Sequence, residues 1–273
     1  MISYAQNFED VMLWRALKDI KDGFYIDVGA NDPIVFSVTK WFYEQAWSGI
    51  NVEPSTEYYN ALKADRERDI NLCVGAGKEK GTVNFYNFSG TGLPTMDREI
   101  AERHIASGFS VEKETVEIRT LTSICDEHVK DKTIHFLKVD VEGSEEDVLM
   151  GMDFKKYRPW IVVVEATEPL SEKKNLAWEY LLLENEYRSI YFDGLNKFYI
   201  ADEKFDDLER YFQSPPNPFD EYVLYEIVRR DANINALNKE IEDKEASLSS
   251  MENKLSAMEN SLSWRMTSLL RKF

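Results

Sequence analysis

Residues 24–33, FYIDVGANDP, begin with an apolar run, 24–28, that contains one acid, Asp27, and is followed by a glycine, a small residue and an asparagine. A short apolar run bounded by turn residues is typical of a buried strand. In an open parallel sheet, ligands bind in the crevice beyond the carboxyl ends of the strands. Gly29 has no side chain, so the backbone there can approach a ligand closely. The stretch therefore predicts a strand followed by a ligand-binding loop.

A second acid closes the next predicted strand, in Val52-Glu53-Pro54. A carboxylate at the end of the second strand is placed to accept hydrogen bonds from both ribose hydroxyls of an adenosine. The chain contains neither G-x-G-x-x-G nor G-x-x-x-x-G-K-[ST], so the phosphate-binding loops of dinucleotide-binding and P-loop proteins are excluded. The pattern predicts an adenosine site without a diphosphate site. The alternative role for Glu53 is to cap a helix or a turn.

Residues 1–225 alternate strand-like and helix-like segments, which predicts an α/β fold with a mainly parallel sheet covered on both faces. An antiparallel hairpin at one edge is expected to turn at residues 193–196. The predicted strands are 24–28, 50–52, 71–74, 83–86, 116–118, 135–139, 160–164, 187–192 and 197–200, and the predicted helices are 9–18, 38–45, 55–66, 121–129, 145–150 and 174–184.

Composition narrows the classes of function. The chain has 273 residues, 43% of them hydrophobic, and a net charge of −17, which argues against nonspecific binding of the whole molecule to nucleic acid or anionic lipid. Two cysteines exclude a disulfide scaffold and suit a reducing compartment. The first residues lack a basic signal-peptide region, and no apolar run is long enough to span a membrane. We therefore expect a cytoplasmic protein, with the inner face of the membrane as an alternative location.

Residues 226–262 have no proline or glycine and carry an apolar residue at every seventh position, which predicts a long helix that forms a homo-oligomeric coiled coil. Charged residues at some positions of the second seam leave the number of strands open. The alternative is a solvated helix packed against its own domain. One seam consists of Ile227, Ile234, Ile241, Leu248, Leu255, Leu262 and Leu269, and the other of Arg230, Leu237, Lys244, Met251, Met258, Arg265 and Lys272.

Five motifs together resemble the FkbM family of class I S-adenosylmethionine-dependent O-methyltransferases. They are SYAQNFED (residues 3–10), YIDVGAN (25–31), VEP (52–54), LKVDVEGSE (137–145) and FDGLN (192–196). The resemblance implies a seven-stranded sheet of Rossmann-like type whose last strand is antiparallel. It also implies a cofactor site in which Glu53 holds the ribose. The other implied cofactor-binding residues are Gln6, Asp27, Gly29, Ala30, Asn31, Pro54, Cys73, Val74 and Asp140, with Cys73 and Val74 near the adenine. For Cys73 the alternative is a buried small residue without a ligand.

Carboxylates at the ends of the fourth and fifth strands are the candidate catalytic groups. Asp140 and Glu142 follow the fourth strand, and Glu165 follows the fifth. A carboxylate within hydrogen-bond reach can take the proton of an acceptor hydroxyl. Alternatively, Asp140 and Glu165 can bind Mg²⁺ or Mn²⁺, which prefer oxygen ligands. His104, in the polar segment 89–113, is a further candidate base, because long polar connections often carry binding residues or lids.

Residues 263–273 form a basic amphipathic tail that suits a membrane interface or a protein partner. The sequence LSWR (residues 262–265) resembles the ends of bacterial surface-polysaccharide enzymes. We therefore expect transfer of a methyl group from S-adenosylmethionine to a hydroxyl, preferably of a sugar in a surface polysaccharide or O-antigen, with a polysaccharide-biosynthesis protein or the membrane as the tail's contact. The alternatives are O-methylation of another small-molecule natural product and a non-catalytic cofactor-binding scaffold. A nucleic-acid substrate is not expected.

Overall fold

The computed structural model describes residues 1–87, 98–167, 176–261 and 266. The chain divides into two compact units, Met1–Tyr222 and Val223–Phe273. Most of the predicted tail, residues 263–273, lies outside the described residues, as do Glu168 and the glycine-containing segment 88–97. Within the described ranges, no helix is both long and apolar enough to cross a membrane.

Seven strands of the first unit form the central sheet, in the order β6-β7-β5-β4-β1-β2-β3. Strands β1 to β5 pair in parallel, and β7 runs antiparallel between β5 and β6. The mainly parallel sheet with an antiparallel last strand, predicted from the sequence, is therefore confirmed. The strands are β1 (Phe24–Val28), β2 (Ser48–Val52), β3 (Ile70–Leu72), β4 (Phe136–Val139), β5 (Ile161–Glu165), β6 (Tyr187–Phe192) and β7 (Asn196–Ala201).

The strand order changes direction at β1. The chain proceeds outward from β1 to β2 and β3, and it then returns to place β4 on the other side of β1. The two loops that leave β1 and β4 therefore diverge to opposite faces of the sheet and open a crevice between them, where ligands bind in folds of this kind. Gly29 and Asp140 directly follow these two strands.

Helices cover both faces of the sheet, because its buried strands are apolar on both sides. Ile26 and Val28 of β1 pack into one core with helices α5 and α6, and Tyr25 packs into the other core with α1 and α2. The helices are α1 (Glu9–Leu17), α2 (Lys40–Glu44), α3 (Thr56–Asp65), α4 (Arg98–Ala106), α5 (Leu121–His128), α6 (Glu145–Met150), α7 (Glu179–Glu184), α8 (Phe205–Leu208) and α9 (Tyr225–Glu259), and the short 3₁₀ turns are Asp202–Lys204, Glu209–Phe212 and Pro218–Asp220.

Two of the predicted strands belong to a separate small sheet. Gly81–Asn87 pairs antiparallel with Glu112–Arg119, and the latter pairs in parallel with Gly75–Ala76. The two long strands alternate buried and exposed side chains, such as buried Phe85 beside exposed Asn84, so they suit a sheet with one solvated face. The polar connection between them was predicted as a loop, but it contains helix α4, which the sequence prediction missed.

The second unit contains helix α9, which has 35 residues and confirms the predicted long C-terminal helix. Its heptad residues are exposed, from 39% for Ile227 to 60% for Leu248. Leu262 and Leu269 lie outside the described residues. The pairing of this helix in a coiled coil stays a prediction.

Candidate functional site

The loop after β1 needs a glycine at position 29 for two reasons. Gly29 has a φ of +76°, a conformation that residues with a Cβ rarely adopt, and a Cβ there would overlap the backbone carbonyl oxygen of Asp140. The Gly29 N–H donates to the carbonyl of Val52 at 2.9 Å. These contacts bring the ends of β1, β2 and β4 together. The buried Ala30 follows in the same loop.

Glu53 joins the loop after β2 to the loop after β1. Its carboxylate accepts the Asn31 N–H through Oε2 and the Ser55 N–H through Oε1, both at 2.8 Å. Glu53 is 3% exposed, and this burial raises its pKa to about 7. A carboxylate has about four acceptor positions, so the two backbone bonds leave capacity for further donors. The bond to Ser55, which precedes helix α3, agrees with the turn-stabilising alternative, and the bond to Asn31 adds a connection between the two loops.

Lys138 lies at the centre of the site, although its side chain was not among the predicted site residues. Its Nζ donates to the carbonyl of Gly29 at 3.0 Å, and it lies 3.3 Å from Asp140 Oδ2 and 3.4 Å from Asp27 Oδ1. Burial by itself would lower the Lys138 pKa, but the carboxylates of Asp140 and Asp27 raise it above its usual range. The available sequence signal is a lysine within the otherwise apolar strand β4.

Asp27 is a deeply buried acid at the site. The side chain is 1% exposed, and its Oδ2 accepts a hydrogen bond from the Thr39 hydroxyl at 3.1 Å. Burial raises the pKa of Asp27, while the charge of Lys138 and the Thr39 bond oppose that increase. Asp27 therefore helps to position Lys138 next to the loop that begins at Gly29.

Three predicted carboxylates come together at the ends of β4 and β5. Oxygens of Asp140, Glu142 and Glu165 all lie within 4.8 Å of one another. Burial and the neighbouring Asp140 charge raise the pKa of Glu142 to about 8 and that of Glu165 to about 10. Glu165 Oε1 accepts from the Thr167 hydroxyl at 3.4 Å, whereas its buried Oε2 has no hydrogen-bond partner among the described residues. The cluster can hold protons, or its oxygens can bind a cation.

Cys73 and Pro54 lie side by side beyond β2 and β3. The Cys73 thiol donates to the carbonyl of Pro54 at 3.8 Å, and the next residue, Val74, is buried. Cys73 itself is exposed, so the alternative that it is a buried small residue is wrong. Partial burial of its sulfur raises the pKa of the thiol.

The N-terminal segment lies along the same edge of the sheet. Ala5 forms a parallel bridge with Phe36, in the loop that follows β1, and Gln6 is exposed next to this bridge. Glu9 accepts a hydrogen bond from the Asn196 amide at 2.7 Å, and Asn196 pairs with Glu165 across β7 and β5. The segment is thereby attached to the edge that carries the three carboxylates.

His135 does not join this group, and a second histidine, His104, cannot be placed by its side chain. His135 lies just before β4, at the amino-terminal ends of the central strands and away from the site. Its Nδ1 accepts the N–H of Phe24 at 3.0 Å. His104 belongs to helix α4, but its side chain lies outside the described residues. Its predicted role as a base stays a prediction.

A family model described as the methyltransferase FkbM domain matches residues 27–214, which include the loops after β1, β2, β4 and β5. No curated protein matches the chain. The match covers well over half of the sequence, so this chain is a member of the FkbM methyltransferase domain family.

Proposed function

We propose that this methyltransferase uses S-adenosylmethionine and methylates a hydroxyl group. The observation that carries the proposal is the connection of Glu53 to Asn31 beside Gly29, whose backbone packs directly against the carbonyl of Asp140. The buried Glu53 carboxylate is a hydrogen-bond acceptor for ribose. The loop at Gly29 has no side chain at its closest point to β4. Methyl transfer in general follows from the family.

The residues of the site fit this cofactor. Glu53 would accept hydrogen bonds from the ribose hydroxyls with the acceptor positions that its two backbone bonds leave free. Gly29, Ala30 and Asn31 would hold the methionine part, since their loop is fixed to the ends of β2 and β4. Pro54, Cys73 and Val74 would form the adenine side. When bound, S-adenosylmethionine supplies a methyl group that is activated by a positively charged sulfur.

We infer that Asp140 takes the proton from the acceptor hydroxyl. Its side chain is 36% exposed, so an acceptor can reach it, and the Lys138 ammonium lies 3.3 Å from its Oδ2 and holds the carboxylate in place. Burial and the neighbouring carboxylates raise the pKa values of Glu165 and Glu142, which favours their neutral, protonated forms next to Asp140. General bases of this kind contribute about 10² to 10⁴ in rate.

The same three carboxylates allow a second mechanism, in which Mg²⁺ or Mn²⁺ binds Asp140 and Glu165 and lowers the pKa of the acceptor. We favour the metal-independent mechanism, because Lys138 already supplies a positive charge 3.3 Å from Asp140 and would repel a cation there.

The proposed acceptor is a sugar hydroxyl, on the basis of the family resemblance and the tail sequence. The alternatives are a hydroxyl of another small-molecule natural product and a scaffold that binds cofactor without turnover. The half-exposed base candidate Asp140, which an acceptor can reach, favours an enzyme over the scaffold. We also propose that the tail, residues 263–273, contacts a polysaccharide-biosynthesis protein or the inner face of the membrane.

Calorimetric titration of S-adenosylmethionine tests the cofactor site. We expect micromolar binding to the wild type (about −8 kcal/mol) and at least about tenfold weaker binding to Glu53→Ala and Glu53→Gln. Glu57→Ala is the matched control, since Glu57 is an exposed acid in the first turn of α3. Absence of binding to the folded wild type would overturn the proposal. If binding is lost in EDTA and restored by Mg²⁺, the mechanism with a metal ion at Asp140 and Glu165 would be favoured over the metal-independent one.

A further inference from the structure

Helix α9 presents a continuous apolar stripe to solvent. Five residues at seven-residue intervals are between 39% and 60% exposed, and a second set three positions further along is 59% to 63% exposed. The first set is Ile227, Ile234, Ile241, Leu248 and Leu255, and the second is Leu237, Met251 and Met258. Exposed apolar patches of this extent mark interaction surfaces.

The seven-residue spacing indicates that the partner is another helix. A straight α-helix has 3.6 residues per turn, so a stripe with a seven-residue period drifts by about 20° per heptad around its axis. A flat protein surface cannot follow this drift over the length of α9, which is about 52 Å at 1.5 Å per residue. A second helix follows it by supercoiling, with apolar side chains inserted between those of the first.

The described part of the same chain offers no helix of matching length. Outside α9, the longest described helix is α3, which has 10 residues. A helix of that size would cover less than a third of the stripe. The same segment of a second chain has the required length and the same period by construction.

The basic residues of the seam have acidic neighbours that can offset their charge when a second copy is present. Arg230 is flanked by Glu226 and Asp231, and Lys244 is flanked by Glu240 and Glu245. Within one helix, Lys244 pairs with Glu240 at 2.5 Å. In a parallel coiled coil in register, each seam residue packs next to the residues that flank the partner's seam. Each basic side chain would then lie beside the same basic residue of the partner, with acids of both copies next to them to offset the repulsion.

We propose that α9 forms a parallel two-stranded coiled coil with α9 of a second copy of this chain. Ile227, Ile234 and Ile241 favour two strands, because β-branched residues at this position pack well in parallel dimers. The long aliphatic stems of Arg230 and Lys244 can cover the seam while their charged ends reach water at its side. The methyltransferase units of the two copies would consequently be held as a pair.

Sedimentation equilibrium of the full chain tests the proposal. We expect twice the 31.8 kDa chain mass for the wild type and the mass of one chain for the double variant Ile241→Asp/Leu248→Asp, which places like charges opposite each other in the seam. The control is Ala232→Asp/Ala246→Asp, which changes the opposite face of the same helix and should remain a dimer. Aspartate lowers helix propensity more relative to alanine than relative to isoleucine or leucine, so loss of helix alone would affect the control at least as strongly.

A wild type with the mass of one chain, or of three or more, would overturn the two-stranded coil, as would a double variant that remains dimeric. The orientation has a separate test. Leu248→Cys in a Cys73→Ser background should form an intermolecular disulfide on mild oxidation, since the same seam position of both copies is adjacent only in the parallel, in-register arrangement. A dimer that forms no intermolecular disulfide after oxidation would exclude the parallel, in-register arrangement.

Discussion

The alpha carbon of Gly29 lies so close to the carbonyl oxygen of Asp140 that a side chain on Gly29 would overlap it. The two residues directly follow β1 and β4, on either side of the point where the strand order changes direction. The backbone of the proposed cofactor loop and the proposed base are thereby held together without a side chain between them.

Gly29→Ala should abolish binding of S-adenosylmethionine and destabilise the fold. The positive φ alone costs about 1–2 kcal/mol for a residue with a Cβ, and the overlap with Asp140 forces the loop to move. Gly194→Ala is the control for stability, because Gly194 also has a positive φ, of 104°, but a Cβ there has open space. Thermal unfolding and calorimetry together measure both effects. Equal losses of stability in the two variants would show that the overlap is relieved at no cost.

The free energy of unfolding of the ligand-free protein should decrease between about pH 5 and pH 8. Burial raises the pKa of Glu53 from 4.5 to about 7 in the folded protein, so the folded state binds more protons in this interval. The resulting stability is present below pH 4.5 and is lost as the pH rises through about 7. For Glu53 the change is on the order of 3 kcal/mol.

Denaturant unfolding at a series of pH values measures this effect. Glu9 and Asp10 titrate in the same interval, with pKa values of about 7 and about 6, so the informative quantity is the difference between wild type and Glu53→Gln. The variant should show a shallower decrease, whereas the exposed-residue control Glu57→Gln should follow the wild type. Parallel curves for wild type and Glu53→Gln would contradict the raised pKa of Glu53.

Lys138→Met should destabilise the protein by about 3–5 kcal/mol, the usual cost of leaving a buried charge without its partner. The ammonium is close to both Asp27 and Asp140, and Asp27 is the more deeply buried of the two. Adding Asp27→Asn should therefore recover part of the loss, because it removes the uncompensated charge. A double variant whose loss equals the sum of the single losses would show that the two residues do not interact.

Asp140→Asn should lower turnover by about 10² to 10⁴ and leave the affinity for S-adenosylmethionine within a fewfold of the wild type. Glu146→Gln is the control, since Glu146 lies in the first turn of α6 outside the carboxylate cluster. The measurement is kcat with a glycan acceptor, with and without EDTA. Full turnover in Asp140→Asn would remove the proposed base, and inhibition by EDTA in the wild type would favour the metal mechanism.

Cys73 should be alkylated by iodoacetamide in the folded protein, and S-adenosylmethionine should slow this reaction. Cys73 is exposed, whereas Cys125 is completely buried and serves as the internal control. Because the pKa of the Cys73 thiol is raised, the reaction should be followed at alkaline pH by intact mass. An unchanged rate at saturating cofactor would remove Cys73 from the proposed adenine side.

Most of the elements and the strand ends that carry the candidate site can be identified in the amino-acid sequence alone. Apolar runs closed by Gly29 and Glu53 identify β1 and β2, because a buried strand must be apolar and the turn after it must be polar or flexible. The carboxylates at 140, 142 and 165 could be predicted to meet, since parallel strands end at one edge of a sheet. The seven-residue period identified the C-terminal helix over its described length.

Tertiary structure decided what these residues contact. Lys138 appears in the sequence as one polar residue in an apolar strand, and only the pairing of β1 with β4 brings it to Asp27 and to the Gly29 carbonyl. Helix α4 was not predicted, because its polar segment has a weak local preference. The two long strands of the small sheet were predicted, but their separation from the central sheet depends on long-range pairing. Periodicity reports which side of an element is buried. Contacts between distant residues depend on strand order, which long-range packing selects.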